Sequence, residues 1–249
     1  MSIDYSHSRN LHTLNGAHVA LKKLFGGEIP ASLLDVGCGT GTWLRAAADL
    51  GVVDIQGIDG VPIASQSLLI PADCFRVQDL TQAWNLQRRY DTALCLEVAE
   101  HLDSVYASSL VANLVAHADK VYFSAACPGQ LGQHHVNCQW PEYWQRLFNS
   151  HGYTCSEGPR MALWDEIGVE PWYRQNMFLA VKRTPNTLAE EPRIARVIHP
   201  NMLPSMVLDT SVIRSIENGS QPALWYLTIG ARGLWHKLTR VIGRLLLGH

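Results

Sequence analysis

The segment Leu33-Leu34-Asp35-Val36-Gly37-Cys38-Gly39-Thr40-Gly41-Thr42 constrains this chain more than any other. An apolar run ends in a turn with glycine at alternate positions, and a helix-compatible run from Trp43 to Leu50 follows. That order is strand, tight turn and helix N-terminus, where bare backbone and exposed N–H groups shape a pocket of nucleotide size. The spacing departs from the dinucleotide pattern G-x-G-x-x-G, whose last glycine would fall on Thr42; the glycine stands one place earlier, at Gly41. Asp35 lies two residues before the first glycine. A carboxylate there repels a pyrophosphate and suits a ligand carrying positive charge.

A chain of 249 residues buries a full core and is most simply one domain with additions. With 47% hydrophobic and 17% charged residues and a net charge of −2, it has no nucleic-acid coat. The charge is uneven: Arg232, Lys237, Arg240 and Arg244 follow the last acid, Glu217, so a basic tail hangs on a more acidic body. Cys38, Cys74, Cys95, Cys127, Cys138 and Cys155 are scattered without a C-x-x-C pair and read as reduced residues of a cytoplasmic protein. No apolar signal segment opens the chain, and no apolar stretch is long enough to span a bilayer.

After a polar arm, Leu11, Leu14, Leu21, Leu24 and Phe25 recur at helical spacing and Gly26-Gly27 ends the run. Strands are expected at Ala31–Val36, Val52–Asp59, Phe75–Val77, Thr92–Leu96 and Val121–Ala125. Helices are expected from Thr42 to Gly51, over Ile63–Leu69, from Val105 to Ala118, and after Pro141 with Trp144, Leu147 and Phe148 on its apolar side. Such alternation requires parallel strands, right-handed crossovers and two covered faces. Tyr153–Cys155 and Met177–Val181 read as two last strands. Residues 184–221, rich in proline and polar side chains, form an irregular extension, and 222–249 a helical tail.

The pattern D-x-G-x-G-x-G resembles motif I of the class I S-adenosylmethionine-dependent methyltransferases, over about residues 30–183. The resemblance implies an α/β, Rossmann-like sheet of seven mostly parallel strands, its last two forming an antiparallel edge hairpin. It implies that Gly37, Cys38, Gly39 and Gly41 admit the methionine part of S-adenosylmethionine and that Asp35 answers its charge. Asp59, at the tip of the second strand and followed by Gly60, would hold the ribose. Asp79 would receive the adenine amine, and Leu80 and Leu96 would also touch the cofactor; an Asx turn is the competing reading of Asp79.

Glu97-Val98-Ala99-Glu100-His101 follows the fourth strand directly. In a helix, Glu97, Glu100 and His101 would share one face at i, i+3 and i+4, an oxygen-rich site with one nitrogen suited to magnesium or manganese. E-x-x-E-H at this place resembles two metal-dependent groups of O-methyltransferases: the ubiquinone-pathway enzymes, and the RNA 3′-end 2′-O-methyltransferases, which add a later histidine. Here His134 and His135 follow the fifth strand. Either would complete the metal set, with His135 the expected ligand, or act with Glu100 as acid–base machinery on an acceptor hydroxyl. The competing reading keeps the Glu-His pair as a hydrogen-bonded wall without metal.

The expected acceptor is a hydroxyl of a sugar, glycan or secondary metabolite, with Trp172-Tyr173-Arg174-Gln175-Asn176 offering rings to stack on it or simply packing under the edge strands. The rivals are methylation of an RNA end, disfavoured by the lack of a basic patch near the catalytic half, and a non-catalytic cofactor-binding subunit. The tail alternates apolar residues at 3–4 spacing with cations. It fits a membrane surface, a partner protein, the enzyme's own body or a homodimer interface.

Overall fold

A computed structural model describes residues 12–183, 191–204 and a few positions between 219 and 230. The chain divides into two compact units, Met1–Met206 and Val207–His249. Almost all of the second, including the cationic stretch of the tail, lies outside the described residues. Among the described residues no helix is long and apolar enough to cross a membrane.

The first unit opens with α1 (Leu14–Phe25), capped by the Thr13 side chain, which accepts the Gly16 amide at 2.9 Å, and ended by left-handed Gly26. Then follow β1 (Ser32–Val36), α2 (Thr42–Asp49), β2 (Asp54–Asp59), β3 (Phe75–Val77), β4 (Thr92–Leu96), α3 (Ala107–His117) and β5 (Lys120–Ser124). The second half supplies α4 (Pro141–Ser150), β6 (Tyr153–Ser156), α5 (Gly158–Leu163), α6 (Pro171–Asn176) and β7 (Phe178–Lys182). The sheet runs β3-β2-β1-β4-β5-β7-β6; the first five strands are parallel, and β7 is antiparallel to both β5 and β6. This is the seven-stranded architecture the glycine motif implies.

Each strand feeds two cores by alternation. Leu34, Val36, Ala93 and Cys95 join α3 and α4 on one face, while Leu33, Leu94 and Leu96 join α1, α2 and α6 on the other. Asp35 therefore falls on the Leu33 side. β1 pairs with both β2 and β4, so the strand order reverses there and a crevice opens beyond their C-terminal ends. All six cysteines are free thiols.

Two expected helices are absent. Ile63–Leu69 forms only a 3-10 turn at Ser65–Ser67. Pro62 and Pro71 bracket it, most of its side chains are exposed, and the Leu69 amide bonds to the Thr40 carbonyl at 2.9 Å instead. Glu97 is not helical either: its φ is 55°, and a 3-10 turn at Ala99–His101 replaces the expected helix start. Conversely, α5 and α6 were not expected. Each spans six residues and opens with a proline in its first turn, too short to show a period.

Candidate active site

A cavity of about 370 Å³ occupies the crevice beyond β1 and β4. At one end lie Asp35, Gly37, Cys38, Gly39 and Leu96, with Trp43 behind them. The turn needs its glycines. Gly41 sits at φ 85°, where an added Cβ would lie 2.8 Å from Ile70 Cγ1; Gly37 sits at φ 78° against the Val98 side chain.

Asp35 is 2% exposed, and its Oδ2 has no hydrogen-bond partner among the described residues. Burial, and then the charge of Asp59, push its carboxyl up to about 8. Asp59 is itself occupied: Oδ2 accepts the Gly39 amide and Oδ1 the Val61 amide, both at 2.8 Å. It thereby ties the glycine turn to the tip of β2. Gly41, Asp59, Gly60, Asp79 and Leu80 lie outside the cavity wall: Gly41 caps α2, Leu80 packs in the core, and Gly60 is exposed. Exposed Asp79 makes the Asx turn, its Oδ1 accepting the Thr81 amide at 2.9 Å and hydroxyl at 2.6 Å; these bonds hold its carboxyl below the usual range.

At the other end the left-handed backbone of Glu97 turns its carboxylate inward. Asn176 Nδ2 donates to it at 3.1 and 3.4 Å, and Gln130 Nε2 at 2.8 Å. Glu100 is fully buried, and neither oxygen has a partner at hydrogen-bonding geometry among the described residues. Burial raises both carboxyls, and the Glu97 charge raises that of Glu100 further. One ligand atom each of Glu100, His101 and His135 lie within 4.8 Å of one another, and the two rings stand 5.1 Å apart. Glu97, expected in this set, is held by the amides instead.

The loop carrying His135 is clipped to the turn by backbone: the amides of Val136 and Asn137 donate to the Glu100 carbonyl at 2.9 and 3.0 Å. His135 Nδ1 stands 3.0 Å from the Gln130 carbonyl; a carbonyl only accepts, so Nδ1 carries the proton and Nε2 keeps its lone pair. Burial lowers the pKa of His135, and burial with the charge of His135 lowers that of His101 to about 4, so both rings are neutral near pH 7. His135 faces the cavity; His134, at φ 49°, is exposed and outside its wall.

Of the remaining lining residues, Trp172 and Tyr173 belong to the aromatic run named in the sequence, whereas His12, Asn201 and Met202 carried no signal there. His12 closes the Asp35 end, its Nε2 3.2 Å from Thr42 Oγ1. Tyr173 packs edge-on to Trp43 with centroids 4.9 Å apart, and Trp172 lines the wall beside it. The segment 191–202 crosses α4, α5 and α6 to reach the cavity. Ile194 is buried, with its amide bonded to Gln145 Oε1 at 2.8 Å; Arg196 pairs with Glu142; the His199 amide bonds to Gln175 Oε1 at 2.8 Å. Asn201 and Met202 then complete the lining.

A family model described as a methyltransferase domain matches residues 12–156. No protein of curated function matches the sequence. Among solved structures, the chain is similar to the methyltransferase domain of the bacterial CtHen1-C, at 17% identity and TM-score 0.52, over 69% of this chain and 100% of that one. It is similar to a sugar N-methyltransferase from Streptoalloteichus sp ATCC 53650, at 16% identity and TM-score 0.52, over 72% and 90%. It is likewise similar to an amino pentose methyltransferase of calicheamicin biosynthesis from Micromonospora echinaspora, at 16% identity and TM-score 0.50, over 74% and 99%. At these identities the likeness is one of fold.

Proposed function

The chain belongs to the methyltransferase-domain family, and from that premise we propose that it takes S-adenosylmethionine as donor and methylates an oxygen of a sugar, glycan or natural-product small molecule. The observation that carries this reading is Asp35: a buried carboxyl facing the cavity with an oxygen that nothing in the described chain satisfies. Ionising a dehydrated acid of this kind costs free energy unless a cation meets it. The donor's ammonium and sulfonium groups do so, whereas a pyrophosphate would add repulsion. When bound, the donor supplies an electrophilic methyl group. Gly37, Cys38 and Gly39 give it bare backbone to lie against, Leu96 an apolar floor, and Asp59 keeps the turn in shape.

The acceptor hydroxyl must lose its proton as its oxygen is methylated. His135 Nε2 is the base within the cavity, its tautomer set by the Gln130 carbonyl. Glu100, His101 and His135 would also suit a magnesium or manganese ion, which would lower the pKa of a hydroxyl bound to it. Burial disfavours the ionised form of Glu100, and a nearby cation reverses that preference. An RNA end as acceptor is the weaker reading, because no lysine or arginine stands among the described residues lining the cavity.

Calorimetry with S-adenosylhomocysteine on the full chain tests the donor, with a nicotinamide dinucleotide as control. Uptake of the first and not the second is expected; the reverse would overturn the reading. Methyl transfer to a panel of hydroxylated small molecules, with and without a chelator, then decides the metal. Chelator-insensitive turnover removes the ion and leaves His135 as base.

A further inference from the structure

The family match ends at residue 156, yet Trp172, Tyr173, Asn201 and Met202 line the cavity. This part of the wall is therefore supplied by chain that lies beyond the matched residues. It is also tied to the Glu97 end of the cavity by an unbroken line of amides. The His199 N–H donates to Gln175 Oε1 at 2.8 Å, Gln175 Nε2 to Asn176 Oδ1 at 3.0 Å, and Asn176 Nδ2 to Glu97 and to Gln130 Oε1. The segment is thus seated against the reacting end rather than draped over the surface.

Its chemistry is specific. Trp172 offers a half-buried indole, Asn201 an exposed amide and Met202 a buried thioether. The lining also includes the half-buried amide of Gln133 and exposed Leu131. The acids among the described residues of the lining are Asp35, Glu97 and Glu100, and no lysine or arginine stands with them there. An anionic acceptor would meet no lysine or arginine among those residues, and whichever carboxyl ionises would repel it. A neutral ring bearing hydroxyls finds an aromatic face to lie on and amides that both donate and accept.

We propose that Trp172, Tyr173, Asn201 and Met202 form the acceptor-specifying wall and that it selects an uncharged, hydroxyl-bearing ring, held against Trp172 and bonded by Asn201. This assignment rests on the methyl-transfer reading and names the acceptor class for it.

The test uses the full chain saturated with S-adenosylhomocysteine and titrated, by saturation-transfer NMR, with methyl α-glucopyranoside, methyl α-fucopyranoside, methyl α-rhamnopyranoside and, as the charged comparison, glucose 6-phosphate. At least one neutral glycoside binds and the phosphorylated sugar does not. Trp172→Ala weakens that binding roughly fivefold to tenfold through the lost ring contact, and Trp172→Phe restores most of it. Asn201→Ala weakens it about fivefold through the lost hydrogen bonds. S-adenosylhomocysteine affinity stays within twofold in all three variants, which also shows that they fold. Binding of the phosphorylated sugar in preference, no glycoside bound, or glycoside binding indifferent to both alanine variants overturns the wall assignment. Failure of the wild-type chain to take up S-adenosylhomocysteine is a different result and overturns the methyl-transfer reading beneath it.

Discussion

Replacing Asp35 by asparagine keeps the shape of the side chain and removes its titration. In the folded chain burial and Asp59 lift this carboxyl from 3.8 to about 8. Between those values the folded state holds a proton that the unfolded state has released, so stability falls as pH rises through that window and is greatest below it. The limiting slope for one such group is about 1.4 kcal/mol per pH unit. From pH 5 to pH 7 the wild-type chain therefore loses about 2.7 kcal/mol through Asp35 alone, and the asparagine variant loses none of it. In a body of this size that is a change of roughly 5 to 10 °C in the gap between the two melting temperatures. Any fixed cost of burying the asparagine amide cancels in this double difference. The assay is thermal unfolding of both full-length chains at pH 5 and pH 7 without donor. Melting curves that shift in parallel for the two chains would refute the claim that Asp35 is buried and protonated. With donor added the sign reverses: a cationic ligand binds the ionised form, so wild-type affinity for S-adenosylmethionine rises toward pH 8, by at most about tenfold per unit, and the variant stays flat.

Gly41→Ala forces a side chain into φ 85° and against Ile70, and is expected to cost about 1–3 kcal/mol, read by denaturant unfolding. Paramagnetic relaxation of water protons should report manganese held by the wild-type chain, and His135→Gln should weaken it at least tenfold while leaving S-adenosylhomocysteine affinity unchanged; equal manganese affinity in both would remove the ion from this cluster. Asn176→Ala leaves Glu97 with Gln130 as its remaining amide donor and is expected to cost about 1–3 kcal/mol of stability. We also propose that the tail binds anionic membrane surfaces. Reversing Arg232, Lys237, Arg240 and Arg244 to glutamate should abolish sedimentation with phosphatidylserine vesicles and leave donor binding intact; unchanged sedimentation would discard the idea.

The sheet was legible because its strands carry their own signal: apolar runs such as Leu33–Val36 and Thr92–Leu96, each closed by a turn with chemistry of its own. The glycine turn was legible for the same reason, since Gly37 and Gly41 answer a local backbone need. Placing Glu97, Glu100 and His101 on a helix failed because periodicity assumes α-helical φ and ψ, whereas Glu97 takes a left-handed conformation held from outside by Asn176 and Gln130. Those partners are 79 and 33 residues away, and nothing in the local pattern announces them. His134 and His135 could not be told apart in sequence because only the loop backbone decides which one turns inward. The polar, proline-rich look of residues 184–221 hid Ile194, a buried anchor whose flanking residues 193 and 195 are exposed, so that no period forms around it.

The two amides that meet on the Glu100 carbonyl have a consequence for His135. That oxygen accepts from the amides of residues 136 and 137 themselves, so beside the imidazole's own bond to the Gln130 carbonyl its seat is held by main chain. Shortening the side chain to glycine should leave a vacancy of matching outline rather than a collapsed loop. Free imidazole diffusing from solution is then the natural tenant of that vacancy, which makes this histidine a site where lost chemistry can be handed back from outside.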